Sequence, residues 1–89
     1  MAATSGLARQ VEVRNPMGLH ARPAALLARM VAGYDATLTI GGVNAASVLE
    51  LMKLGAVGGH VVEVDGTGVQ AAEAVAAVVA AIEGGFGEI

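Results

Sequence analysis

The apolar residues of this 89-residue chain recur with two different periods, and the switches between them divide it into segments. In LARQVEVR, Val11 and Val13 alternate with Gln10, Glu12 and Arg14, the period-two pattern of a half-buried strand. NPMG follows, a turn by composition. From Ala21 the pattern becomes helical: Leu27, Met30 and Val31 share an inward face, and Arg22 and Arg29 share another. Gly33 ends that helix at its C′ position. ATLTI returns to period two, with Ala36, Leu38 and Ile40 on one side and Thr37 and Thr39 on the other. Gly41-Gly42 makes a hairpin turn into a short strand near Val43 to Ala45.

The second half repeats this grammar. Ser47 is an N-cap with Glu50 three residues on, a capping box, and the short helix runs from Val48 to about Leu54, stopped by Gly55 and the glycines at 58–59. HVVEVD is a strand with Val62 and Val64 inward, and GTG turns the chain. The last helix spans Gln70 to Glu83, with Val75, Val78, Val79 and Ile82 inward and Glu73 and Glu83 outward. GGFGEI reads as a frayed end. The order β-α-β-β-α-β-α, with strands apolar on one side only, predicts an α+β open-faced two-layer sandwich whose mostly antiparallel sheet is covered by helices on one face. A single domain over residues 1–89 is expected, with 1–7 a loosely ordered extension and 84–89 a loosely ordered tail.

Composition narrows the function. Apolar residues make up 55% of the chain, which argues against disorder. Tyr34 and Phe86 are the only aromatics, so the core is aliphatic and base-stacking platforms are missing. There is no basic run either, and nucleic acid is not an expected partner. No cysteine is present, and His20 and His60 alone are a poor metal kit, so no metal or cofactor is expected. His60, after two glycines, reads as a surface strand residue. The longest apolar window, VQAAEAVAAVVAAIE, carries two glutamates and falls short of the roughly 20 apolar residues a membrane span needs. The start lacks a secretory pattern, and a cytoplasmic location is expected. Charge is segregated: residues 1–32 hold four arginines against Glu12, a net of +3, and residues 33–89 hold Lys53 against seven acids, a net of −6. The first part can therefore steer an anionic group.

The chemistry concentrates in NPMGLHARPAALLARM. His20 sits at or near the N-cap of the first helix, and Pro23 lies in its first turn, where a missing N–H costs nothing. The free N–H groups of that turn suit a phosphate or carboxylate. Arg22 adds a permanent cation with a two-pronged fork for phosphate oxygens, and Gly18 lets the backbone turn and approach. The positive helix end disfavours the imidazolium form, and a neutral ring nitrogen is a nucleophile. A phosphoryl group taken up there would lie among helix N–H groups and Arg22. On chemistry alone, a plain capping histidine beside a solvated arginine explains the same residues equally well.

GLHARPAA resembles the active-site signature of the HPr family, the histidine-containing phosphocarriers of the bacterial phosphoenolpyruvate:sugar phosphotransferase system. In that family the motif runs Gly-Leu-His-small-Arg-Pro-small-small, and every position agrees. NAASVLELMKLGAVGG resembles the family's second stretch and is similar to actinobacterial members, so the likeness runs from about Ala8 to Glu83. It implies four antiparallel strands covered on one face by three helices. It also implies that His20 carries the phosphoryl group, usually on Nδ1, that Arg22 positions it, and that Gly18, Ala21 and Pro23 support it. Enzyme I would load His20 and sugar-specific IIA components would unload it, so the chain is a monomeric carrier without turnover of its own. Leu49, Met52 and Lys53 match the partner-docking positions of the short helix, with Leu51 and Leu54 expected inside. Ser47 matches the serine that HPr kinase phosphorylates in some Gram-positive bacteria. Ala46 stands where many regulated relatives carry lysine, so the N-cap is the first reading of Ser47 and regulation the second. The short extension, the tight hairpin and the glycine-rich tail depart from the family, and none is expected to touch His20. Two alternatives share the motif: a phosphotransfer domain of a specialised branch, serving dihydroxyacetone kinase or the nitrogen-related system, and a regulatory paralogue that transfers nothing.

Overall fold

The computed structural model describes residues 7–88. Strands β1 (Leu7–Glu12), β2 (Thr37–Ile40), β3 (Val43–Asn44) and β4 (Val61–Thr67) alternate with helices α1 (Ala21–Ala32), α2 (Val48–Leu54) and α3 (Ala71–Glu83), and a short turn, Gly85–Gly87, follows. The four strands form one antiparallel sheet in the order β1-β4-β2-β3. Helices α1 and α3 lie over one face, and α2 packs against α1 and β3. The predicted α+β open-faced sandwich is the fold observed. Leu7, placed in the loose extension by the sequence reading, instead starts β1 opposite Gly66. Residues 1–6 and 89 lie outside the described residues.

Side-chain alternation sets the faces. Val11, Val62, Val64, Leu38 and Ile40 are buried beneath the helices, together with Leu27 and Val31 of α1, Leu51 of α2, and Val75, Val78, Val79 and Ile82 of α3. Each such side chain contributes roughly 1.5–3 kcal/mol of burial. On the open face Gln10 pairs with Glu63 and Thr39 with Asp65. Tyr34 and Phe86 are half-buried at the core's margin, so the core interior is aliphatic. Met30, expected inside, is only half-buried.

Boundaries follow local chemistry with two exceptions. The Gly41-Gly42 turn has φ of 58° and 87° and joins Ile40 directly to Val43, as a two-residue hairpin requires. Helix α2 starts at Ser47, whose Oγ accepts from the Glu50 N–H at 3.2 Å, and stops at left-handed Gly55. The Glu50 carboxylate accepts instead from the Asn44 N–H at 3.0 Å, so only half of the capping box forms. Gly33 ends α1 in a right-handed conformation, φ −83°, and so does not use the freedom glycine offers. The expected GTG turn begins late. Gly66 and Thr67 continue β4 by pairing with Leu38 and Thr37, and position 66 suits glycine because α3 presses on the sheet there: a Cβ on Gly66 would lie 2.6 Å from Val75 Cγ2.

Candidate functional site

The loop between β1 and α1 is folded against the loop between α2 and β4. The Val13 N–H donates to the His60 carbonyl at 2.8 Å, and the Gly59 N–H donates to the Val13 carbonyl at 2.9 Å. The Leu19 N–H donates to the Ala56 carbonyl at 3.0 Å. Gly18 is the point of closest approach, with φ +66° and no room for a side chain: a Cβ would lie 1.9 Å from the Ala56 oxygen. Its own N–H closes the Asn15–Gly18 turn on the Asn15 carbonyl at 2.9 Å. Gly18 therefore shapes the loop rather than donating to an anion. The glycines at 58–59 serve the same contact, since a Cβ on Gly58 would meet Pro16 Cα at 3.0 Å. His60 is exposed, and its Nδ1 accepts from the Val57 N–H at 3.2 Å, which steadies that loop.

This frame delivers His20 to the N-cap of α1 in an extended conformation, with the ring not used as a cap. Ala21 and exposed Arg22 open the helix, and their N–H groups have no helical carbonyl to bond. Pro23 is buried in the core side of the first turn and brings no donor, so it supports the helix start by packing. The Ala24 N–H already bonds the His20 carbonyl at 3.0 Å. The main-chain donors open to an anion at this helix end are thus Ala21 and Arg22.

Glu88 is the residue the sequence reading missed. The Gly84–Glu88 segment does not fray: Gly85, Phe86 and Gly87 have φ of 65°, 55° and 76°, a left-handed turn that carries Glu88 back over His20. His20 Nε2 lies 2.9 and 3.1 Å from the two Glu88 carboxylate oxygens. Asn15 Nδ2 donates to the same carboxylate at 2.9 Å and to the Gly18 carbonyl at 2.8 Å. Arg22 Nη1 stands off at 3.5 Å, and with its side chain 67% exposed this contact adds little. The glycine-rich segment thus does touch His20, contrary to the sequence expectation. The hydrogen bonds from Asn15 and then His20 hold the Glu88 carboxyl below its ordinary 4.5; partial burial opposes them, and the charges of His20 and Arg22 add to them. Asn15 is fully buried, with both amide hydrogens engaged and its Oδ1 unpaired.

With both carboxylate oxygens facing Nε2, that nitrogen must carry the ring proton and donate it. When the ring is neutral its lone pair lies on Nδ1, which has no hydrogen-bond partner among the described residues. The ring is 31% exposed, open enough to meet another protein. On α2, Leu49 and Met52 are 64% and 43% exposed, Lys53 is exposed, Leu51 is buried and Leu54 is half-buried. Met17, on the histidine's own loop, is exposed too. Among the described residues no three metal-ligating side chains converge, and no helix is long and apolar enough to cross a membrane.

Residues 7–84 match the family described as PTS-HPr, PTS HPr component phosphorylation site. The chain is 40% identical over 83 residues to phosphocarrier protein NPr of Escherichia coli K12, covering 88% of this chain and 92% of that protein. It is 38% identical over 79 residues to phosphocarrier protein HPr of Vibrio cholerae, covering 84% and 93%. Among solved structures, HPr-C-His from Thermoanaerobacter tengcongensis superposes with a TM-score of 0.87 at 36% identity, over 93% of this chain and 98% of that one. HPr from Bacillus anthracis does so at 0.83 and 30% identity, over 89% and 99%. Sequence and fold agree over nearly the whole described chain, which belongs to the HPr family of phosphocarrier proteins.

Proposed function

We propose that this phosphocarrier takes its phosphoryl group on His20 Nδ1 from phosphorylated enzyme I and passes it to IIA components. The observation that carries this reading is the ring itself, held at a helix N-terminus with Nε2 engaged and Nδ1 open. The Ala21 and Arg22 N–H groups and the Arg22 side chain supply the positive surroundings that spread charge over a transferring phosphoryl group. Leu49, Met52 and Lys53 form the docking face of α2, a small exposed patch suited to transient association. Ser47 caps α2; a phosphate on it would place about −2 charge beside that patch and weaken docking to acidic partners. The chain carries phosphate between partners and completes no reaction alone.

A second reading replaces the sugar branch with a specialised one, and the relatives named phosphocarrier protein NPr favour it. Incubation with phosphoenolpyruvate and purified enzyme I of either branch, followed by intact mass and acid treatment, separates the readings. The expected result is a gain of one acid-labile phosphate that His20→Ala abolishes without unfolding. Phosphorylation of that variant would refute the assignment to His20. The enzyme I that loads the chain faster names the branch.

A further inference from the structure

Three features lie outside the reading above. An open groove of about 380 Å³ is lined by Leu54, His60 and Glu63, but nothing in it indicates an occupant. The exposed edge of β1 presents Leu7 and Arg9 without a partner that would explain them. The third is Glu88, which lies beyond the family-matched residues 7–84 and binds the one ring on which the chemistry depends.

We infer that Glu88 is a positioning residue for phosphoryl transfer: its carboxylate keeps the proton on His20 Nε2 and so makes Nδ1 the attacking nitrogen. The inference rests on His20 being the phosphoryl acceptor. Two oxygens at 2.9 and 3.1 Å from Nε2 admit only a donor there, because a lone pair facing a carboxylate would be repelled. The carboxylate is itself fixed. Asn15 Nδ2, on a fully buried side chain, donates to one oxygen, and Asn15 also braces the loop that presents His20. The backbone behind Glu88 is committed to this position. Phe86 is a bulky residue at φ 55°, a conformation that persists only where surroundings impose it, and here its ring packs on the core margin. Glycines on both sides let the left-handed turn form.

The chemical consequence concerns charge. When Nδ1 attacks, its lone pair becomes the new N–P bond, and the donor protein's bond to phosphorus breaks with its electron pair leaving on the donor. The ring keeps its Nε2 proton and becomes cationic. Glu88 faces that proton and stabilises the charge as it develops, as a buried carboxylate does behind a catalytic histidine. When an acceptor attacks phosphorus, the N–P pair returns to Nδ1 and the ring is neutral again. No proton enters or leaves the pair at either step.

The test uses the whole chain with ¹⁵N-labelled histidine, in Glu88→Ala and Glu88→Gln variants. In the parent chain the two His20 ring nitrogens should resonate far apart, as a single Nε2–H tautomer gives. Glu88→Ala should draw them together toward a tautomer mixture. Its loading by phosphorylated enzyme I should slow by about tenfold or more, the low end of the loss when the hydrogen-bond partner of a metal-bound histidine is removed. Glu88→Gln, whose amide oxygen still accepts from Nε2–H, should keep the nitrogens apart yet load more slowly, since the charge is gone. Nitrogen shifts identical in Glu88→Ala and the parent would overturn the inference, as would unchanged loading of both variants. If the parent takes up no phosphate while its nitrogens depend on Glu88, the acceptor assignment has failed and the pairing stands.

Discussion

Gly41-Gly42 and Gly85–Gly87 are both left-handed glycine turns at the end of a regular element, yet they do different work. The first links paired strands; its register is set by Ile40 opposite Val43, and Gly42 looks into open space. The second leaves α3 and pairs with nothing regular, but it ends on His20 and Asn15. The first is held by its immediate neighbours. The second is held by its destination, through Phe86 on the core and Glu88 on the ring. Glycine content alone therefore says that a turn is possible, not what it is for.

The comparison can be tested at the glycines. The largest effect is expected at neither turn but at Gly18, where left-handed backbone and a blocked Cβ coincide. Gly18→Ala should destabilise the fold by about 3 kcal/mol in urea unfolding, strain and overpacking together. A loss no greater than that of Gly42→Ala would mean that the two loops are less tightly joined than the Ala56 contact indicates.

At the hairpin, Gly42→Ala meets only backbone strain and should cost about 1–2 kcal/mol. Gly41→Ala should cost more, because its Cβ meets the Leu54 methyls at 3.0 Å. Equal losses would show that Leu54 moves aside freely.

Gly87→Ala faces open space as Gly42→Ala does, so its unfolding free energy should fall by a similar or smaller amount. It should nevertheless shift the His20 ring signals, which Gly42→Ala should leave alone. If both variants leave them alone, the distinction between the turns collapses.

The smallest effect is with pH. The Glu88 carboxyl titrates lower in the folded chain than its ordinary 4.5, so its contribution is complete above that value and is lost only as pH falls through the lower folded value. Phe86 ring signals followed downward in pH should hold their position through 4.5 and move below it. Movement above 4.5 would mean that the carboxylate gains nothing from Asn15 and His20.

Much of this is legible in the sequence because it is local. The N-cap at Ser47, the stop at Gly55 and the inward stripe of α3 each depend on residues within a turn or two. His20 at the start of α1 was readable for the same reason. Asn15 reads in the sequence only as part of a turn-forming NPMG, although a polar side chain before a proline at the mouth of a site can bond within its own turn, as Asn15 does to the Gly18 carbonyl. Glu88 carried less signal still: one acid after three glycines and a phenylalanine has no periodicity to place it.

By itself, the sequence determined the order of elements, the buried face of each and the helix end at which His20 stands. These follow from pleat, helical turn and capping, interactions that span a few residues and leave a pattern in the chain. The tertiary structure alone decided that β4 runs between β1 and β2, that the loops around Gly18 and Gly58 hold each other, and that Glu88 closes on His20 from 68 residues away. Such contacts join segments whose separation is set by the packing of everything between them, and no short pattern in the sequence records that distance.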